Sequence, residues 1–221
     1  MDLFGYDEAL VALRNELFPE SIRTMLATNI YAACAMSRNI KDSLINMPKR
    51  ASWIAGHSFA YYIDKLVTAQ IDKSVVGKFP YSYQEIRIPK CGYPYMEYYS
   101  DYCKFHIKKA EKAERLPKAA IQRVSNSLSN EMFLDFGPEY IPVEENKPFA
   151  LITYGHKGFD LTFIELGFPK WDYSDWVGNW DIAKNISKDV AEDILKNKEP
   201  ELREEFNEKI VKGFELKLKG E

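Results

Sequence analysis

Arg50 and His57 are the side chains whose types and spacing bear most directly on chemistry. Six residues separate them, and Tyr61 and Asp64 follow His57 at i+4 and i+7. At about 100° per residue on a helix, all four project to one side, opposite the apolar stripe of Ile63 and Leu66. An arginine and a histidine on one helix face are what a metal-independent ribonuclease needs. The imidazole moves protons to and from the ribose 2′-hydroxyl, and the guanidinium steadies the phosphate charge. Arg50 also stands in a first helical turn, where the helix dipole disfavours a cation. The same four residues equally describe a solvated helix face.

A second candidate is a binding surface. Tyr93, Tyr95, Tyr98, Tyr99, Tyr102 and Phe105 interleave with Lys90, Lys104, Lys108 and Lys109, and Lys112, Arg115, Lys118 and Arg123 follow. Aromatic rings can stack on bases while lysines and arginines track phosphates. From Arg87 to Arg123 there are nine basic and four acidic residues, or 9 − 4 = +5. From Glu131 to Asp175, nine acids meet three lysines, or 3 − 9 = −6. The middle of the chain is therefore polarised, although its net charge over the whole length is only −3. The competing reading is structural: tyrosines pack in strands, and lysines mark an exposed edge.

Other constellations are thinner. Cys103 and His106 have a Cys-x2-His spacing, but no further pair with metal-ligand spacing completes a zinc site. His156 lies in a turn, where an exposed polar residue is ordinary. Asp160 and Glu165 are five apart on a strand and so point to opposite faces, which excludes a paired-carboxylate centre there. No glycine-rich phosphate loop, nucleophile elbow or HExxH occurs. Neither a metal nor a cofactor is expected.

The elements that must position these residues follow from periodicity. Asp7–Phe18 has apolar residues at helical spacing, and Pro19 and Glu20 open a longer helix striped by Ile22, Met25, Leu26, Ile30, Ala33, Met36, Ile40 and Leu44. A third helix is predicted over Lys49–Ile71, after a stop at Asn46 and Pro48. Strands are predicted over Tyr81–Ile88 and Tyr93–Tyr99, with Tyr102–Lys108 extending the second or forming a third. Leu116–Asn130 reads as a short helix and a Ser/Asn-rich loop. Lys147–Pro169 reads as a hairpin turning at Gly155–Gly158, and Phe149–Tyr154 is apolar on both faces, as a central strand must be. Ser187 caps a helix, Pro200 restarts it, and Leu202, Phe206, Ile210, Phe214 and Leu218 form one apolar row.

The expected fold is α+β: an N-terminal helical part near 1–75, an antiparallel sheet near 76–183, and a C-terminal helix packed on the sheet. Residues 76–221 form a second part, or the two are one continuous domain. At 221 residues with 46% hydrophobic side chains, the chain can bury a substantial core, which excludes a disordered protein. Three cysteines without a CxxC suit a reducing compartment. No signal-peptide pattern opens the chain and no apolar run could span a membrane, so a cytoplasmic location is expected.

Two resemblances bear on function. The Arg50–His57 spacing looks like the R-x4–6-H element of HEPN-type ribonucleases, helical proteins common in toxin and defence systems. Ala51 stands where a polar residue is usual after the arginine. The stretches YCKFHIKKAEKAERLPKAAIQRVSNSLSN and FALITYGHKGFDLTFIELGFP resemble uncharacterised bacterial and prophage proteins over the C-terminal two-thirds of the chain. That resemblance implies mobile-element biology: phage regulation, defence, counter-defence or a toxin–antitoxin pair. The leading expectation is a non-enzymatic binding or regulatory protein of that type, contacting a protein or nucleic acid through 87–123. The alternative is a HEPN-like ribonuclease using Arg50 and His57.

Overall fold

Pro19 and Glu20 divide the first two helices, as the sequence predicts. The computed structural model describes residues 3–43, 48–73, 80–88, 94–130 and 147–218. Helix α1 spans Leu3–Leu17 and α2 spans Glu20–Ser43, with the Ile22 and Arg23 N–H groups both donating to the Pro19 carbonyl. Helix α3, Pro48–Lys73, has its proline in the first turn, where the missing N–H costs nothing. Ile22, Leu26, Ile30 and Met36 of α2 and Phe59, Ile63 and Val67 of α3 are buried in a cluster shared with the strands. The helices and the sheet therefore draw on one continuous core.

The sheet has six strands in sequence order: β1 (Ser82–Arg87), β2 (Pro94–Tyr99), β3 (Lys104–Lys109), β4 (Phe149–Lys157), β5 (Asp160–Pro169) and β6 (Trp176–Asp181). The β4–β5 hairpin is interior to the sheet, and β4 is buried from Phe149 through Gly155. Its turn is tighter than the glycine spacing suggests: Lys157 pairs with Asp160, leaving only Gly158 and Phe159 between them. Gly158 adopts φ +64°, a conformation that costs glycine little. Gly155 stays in the strand, beside a bulge, and the Phe163 ring occupies the space a β-carbon there would need.

One pairing departs from the expected antiparallel sheet. Strand β3 runs parallel to β4, with Lys104 opposite Phe149 and Lys109 opposite Tyr154. Parallel neighbours need a crossover of a dozen residues or more, and the 39 residues of 110–148 supply it (148 − 110 + 1). The class remains α+β, with a mixed sheet. On one face, Phe105, Ile107, Ala150, Ile152, Ile164 and Leu166 meet the helices. On the other, a smaller cluster of Phe149, Leu151 and Tyr173 lies with Leu116, Val124 and Trp176, beside helix α4 (Ile121–Ser127) from the crossover.

The last helix, α5 (Lys188–Leu218), runs through Pro200 instead of restarting there. Pro200 is exposed, so the helical hydrogen bond it forgoes lies on the water side. This helix packs against α2 and α3 more than on the strands. Asn39 donates to Glu199 at 2.8 Å, Tyr61 donates to Glu205 at 2.9 Å, and Phe206 lies against the rings of Tyr61 and Tyr62. Among the described residues, no helix is long and apolar enough to cross a membrane.

Two of the three cysteines are buried free thiols, Cys34 and Cys103. Burial pushes the Cys34 thiol up to about 12 and that of Cys103 up to about 11. A disulfide-exchange reagent at pH 8 is expected to titrate neither in the native protein and both after denaturation. Rapid reaction of more than one thiol in the folded protein would contradict this packing.

Candidate functional site

The register of β2 and β3 builds the most polar spot in the interior. Tyr98 lies opposite Phe105 and Tyr99 opposite Lys104. Continued by one pair, that register sets Glu97 across from His106 on the sheet face away from the long helices. There His106 Nε2 lies 3.3 Å from Glu97 Oε2, with the imidazole 1% exposed and the carboxylate nearly as buried. Asn126 of α4 donates to the same Glu97 oxygen at 3.1 Å, and Gln84 of β1 donates to the other at 3.0 Å. Three elements thus converge on one carboxylate.

The hydrogen bond from His106, supported by those from Gln84 and Asn126, holds the Glu97 carboxyl down at about 2 despite its burial. Burial, with the Lys108 ammonium nearby, pushes the His106 imidazole below its usual value, although Glu97 opposes the shift. The pair therefore carries one charge: an ionised Glu97 accepting from a neutral His106 that holds its proton on Nε2. His106 Nδ1 is buried without a hydrogen-bond partner, and the imidazole makes T-shaped contacts with the Tyr95 and Phe149 rings. An imidazole so enclosed cannot meet a macromolecular substrate. Its evident work is to fix α4 against β1, β2 and β3.

Around α4 the other anchors are polar too. Asn130 donates to the carbonyls of Phe149 (2.9 Å) and Pro169 (2.8 Å) and accepts from the Phe149 N–H (2.7 Å). Ser127 donates to the Trp171 carbonyl at 3.1 Å. Arg123 donates to the Tyr173 hydroxyl at 3.1 Å and to the Lys118 carbonyl, while Tyr173 donates to the Pro117 carbonyl at 3.2 Å. The preceding connector is held by Glu165, whose two oxygens accept the Glu114 N–H at 3.0 Å each. Glu114 and Tyr173 are the non-glycine residues with positive φ among those described, at 59° and 60°. Both belong to this assembly, where its hydrogen bonds maintain the strained backbone.

The basic residues singled out from the sequence divide accordingly. Lys109, Lys112, Arg115 and Lys118 are exposed, the first at the end of β3 and the others along the clamped connector. Glu111 and Glu114 are exposed among them. Lys108 is half-buried, with its ammonium 5.5 Å from the Tyr95 ring centre. Lys104 is half-buried at the other end of β3, and Arg123 is tied to Tyr173. Lys90 lies outside the described residues. Of the interleaved aromatics, Tyr98 and Phe105 stack on each other inside the core, Tyr95 covers His106, and Tyr102 is exposed at the β2–β3 turn. Alternation in sequence is thus not alternation on the surface.

Arg50 and His57 lie in the first half of α3, and their side chains are outside the described residues. The residues that continue their face are engaged: Tyr61 with Glu205, and Asp64 as acceptor for the Tyr98 hydroxyl at 3.0 Å. Cys103 and His106 take opposite faces of the sheet. The thiol sits by the Tyr81 hydroxyl in the main core and the imidazole beside Glu97, so they cannot share a metal. Among the described residues, no group of three or more histidine, cysteine or acidic side chains could hold a metal ion. The His156 ring does not simply point into water: it stacks on Phe59 of α3 at 4.0 Å between centres.

Comparison of the chain with protein-family models, with curated proteins and with solved structures finds no match.

Proposed function

We propose that this is a non-enzymatic binding or regulatory protein that meets an anionic macromolecule through Lys109, Lys112, Arg115 and Lys118. One observation carries the reading: three exposed cations, Lys112, Arg115 and Lys118, stand on a connector whose backbone is fixed at both ends, with exposed Lys109 just before it at the end of β3. At one end the Ala110 N–H donates to the Tyr154 carbonyl at 3.0 Å and Glu165 grips Glu114. At the other, Tyr173 and Arg123 hold Pro117 and Lys118. A pre-ordered cationic loop loses little conformational entropy on binding, which favours recognition of a charged partner.

Heparin serves as a neutral test of this surface because it offers polyanionic charge without sequence. The four-fold charge reversal of Lys109, Lys112, Arg115 and Lys118 to glutamate is expected to elute from immobilised heparin at clearly lower salt than the unaltered protein. Matching far-ultraviolet circular dichroism would exclude a folding defect. Equal elution of both proteins would retire the surface.

A further inference from the structure

The corner between α1 and α2 gathers two arginines on one neutral oxygen. Arg14 donates to Asn15 Oδ1 from Nε at 3.3 Å and from Nη2 at 2.8 Å. Arg23, in the first turn of α2, donates from Nη1 to the same oxygen at 3.0 Å and to the Phe18 carbonyl at 2.6 Å. Arg14 Nη2 and Arg23 Nη1 are therefore no more than 5.8 Å apart (2.8 + 3.0). The Arg14 guanidinium also lies 5.1 Å from the centre of the Trp180 ring on β6. Both arginines are half-buried and Asn15 is exposed, so the corner is anchored yet open to solvent.

Three N–H donors on one oxygen are what a charged oxygen attracts, and an amide supplies no charge. Among the described residues, neither guanidinium enters an ion pair. Glu16 and Glu20 are exposed on the same two helices, and Asp7 and Glu8 stand about two turns back along α1, but none of them pairs with either arginine. Asp181, next to Trp180, accepts the Ala183 N–H at 2.7 Å instead. The carbonyl end of α1 offers about half a negative charge against two whole positive ones, and the first turn of α2 opposes even that. Burial and the charge of Arg23 accordingly hold the Arg14 guanidinium below its ordinary value. Arg14 Nη1 and Arg23 Nε and Nη2 make no hydrogen bond among the described residues, so both side chains keep donors for a further acceptor.

We propose that Arg14 and Arg23 bind a phosphate monoester group, whose oxygens take the place of the Asn15 amide between the two guanidiniums. Two positive charges select a dianion over a carboxylate, and tetrahedral oxygens can meet guanidiniums that approach from different helices. The same chemistry is carried by a phosphorylated side chain and by free phosphate, which the test separates. This site shares no residue with the cationic connector and goes beyond the reading above.

The test is calorimetric titration of the full-length protein at constant ionic strength, with inorganic phosphate and a phosphoserine peptide as probes. Saturable binding to one site is expected at about pH 7.5, and weaker binding at about pH 5.5, where the phosphate group is mostly a monoanion. Tighter binding of the peptide would assign the group to a phosphorylated protein, and equal affinity would assign it to phosphate itself. Arg14→Gln and Arg23→Gln are each expected to lower the affinity about tenfold. Arg23 also braces the Phe18 carbonyl, so Asn15→Asp is the decisive variant. It keeps both arginines and supplies the missing negative charge from within the chain. Phosphate binding should then be lost while the urea midpoint stays equal or rises. Failure of both probes to saturate would overturn the proposal, as would an Asn15→Asp protein that binds phosphate as tightly as the unaltered one.

Discussion

Replacing Asn130 with alanine is expected to destabilise the protein by about 3–5 kcal/mol, near the upper end for a single polar substitution. The side chain is 1% exposed and satisfies three backbone groups at once, the N–H and C=O of Phe149 and the C=O of Pro169. These groups lie at the start of β4 and the end of β5, where the edge of the hairpin would otherwise present unpaired atoms to a dry interior. Leaving a buried polar group without a partner costs roughly 1–3 kcal/mol, and partial relaxation keeps the total below the sum of three. Urea unfolding measures it as a shift in midpoint at constant slope. Asn130→Asp should be nearly as damaging, because it retains the acceptor for Phe149 N–H and loses both donors. A loss under about 1 kcal/mol for either variant would mean the bonds are not made.

Acid should weaken the fold in two stages, both traceable to the Glu97–His106 pair. His106 has a folded pKa below its ordinary value of 6.5 because burial opposes its charge. The unfolded chain therefore takes up a proton that the folded one refuses, and stability starts to fall as pH drops below about 6.5. Glu97 has a folded pKa of about 2 against an ordinary 4.5. Its contribution is complete above the unfolded value and is lost as pH falls from 4.5 towards 2. A depression of that size corresponds to about 3 kcal/mol. Tyr95, Lys108 and Arg123 also surround the pair. Chemical denaturation at pH 8, 5.5 and 3.5 should show the decline. Glu97→Gln should be less stable at pH 8 and show a flatter profile below 4.5. A parallel profile for the variant would assign the acid sensitivity to other groups.

Much of the architecture was legible because it follows from short-range rules. The two-faced burial of β4 is written in Phe149–Tyr154, and Pro19 and Pro48 mark helix starts where proline is tolerated. Features set by partners distant in sequence were not legible. Nothing in 104–109 or 149–154 says that these strands run parallel, since apolar alternation is the same in either direction. Pro200 suggests a restart, but packing of Leu202 and Phe206 against the other helices outweighs one missing hydrogen bond. The Glu97–His106 pair did leave a signal. With strands ending at Tyr99 and restarting near Tyr102, a short turn at 100–103 places residues summing to 203 opposite each other, including 97 and 106. The buried polar anchors of α4, Ser127 and Asn130 just beyond it, left less, because Leu116–Asn130 has too few apolar residues to reveal which side faces inward.

The single parallel junction also has a consequence for synthesis. It divides the sheet into two antiparallel meanders, β1–β3 and β4–β6, each closed by short connections. The first meander emerges from the ribosome with one flank of β3 unpaired, and its partner β4 begins 40 residues later (149 − 109). At 5–20 residues per second, that strand waits roughly two to eight seconds for its neighbour. Phe105 and Ile107, buried in the finished protein, belong to the waiting strand. Lys104, Lys108 and Lys109 put charge on the same strand, and charge on an open strand disfavours its pairing with a second chain. Their presence is accounted for by the half-made protein as well as by the whole one.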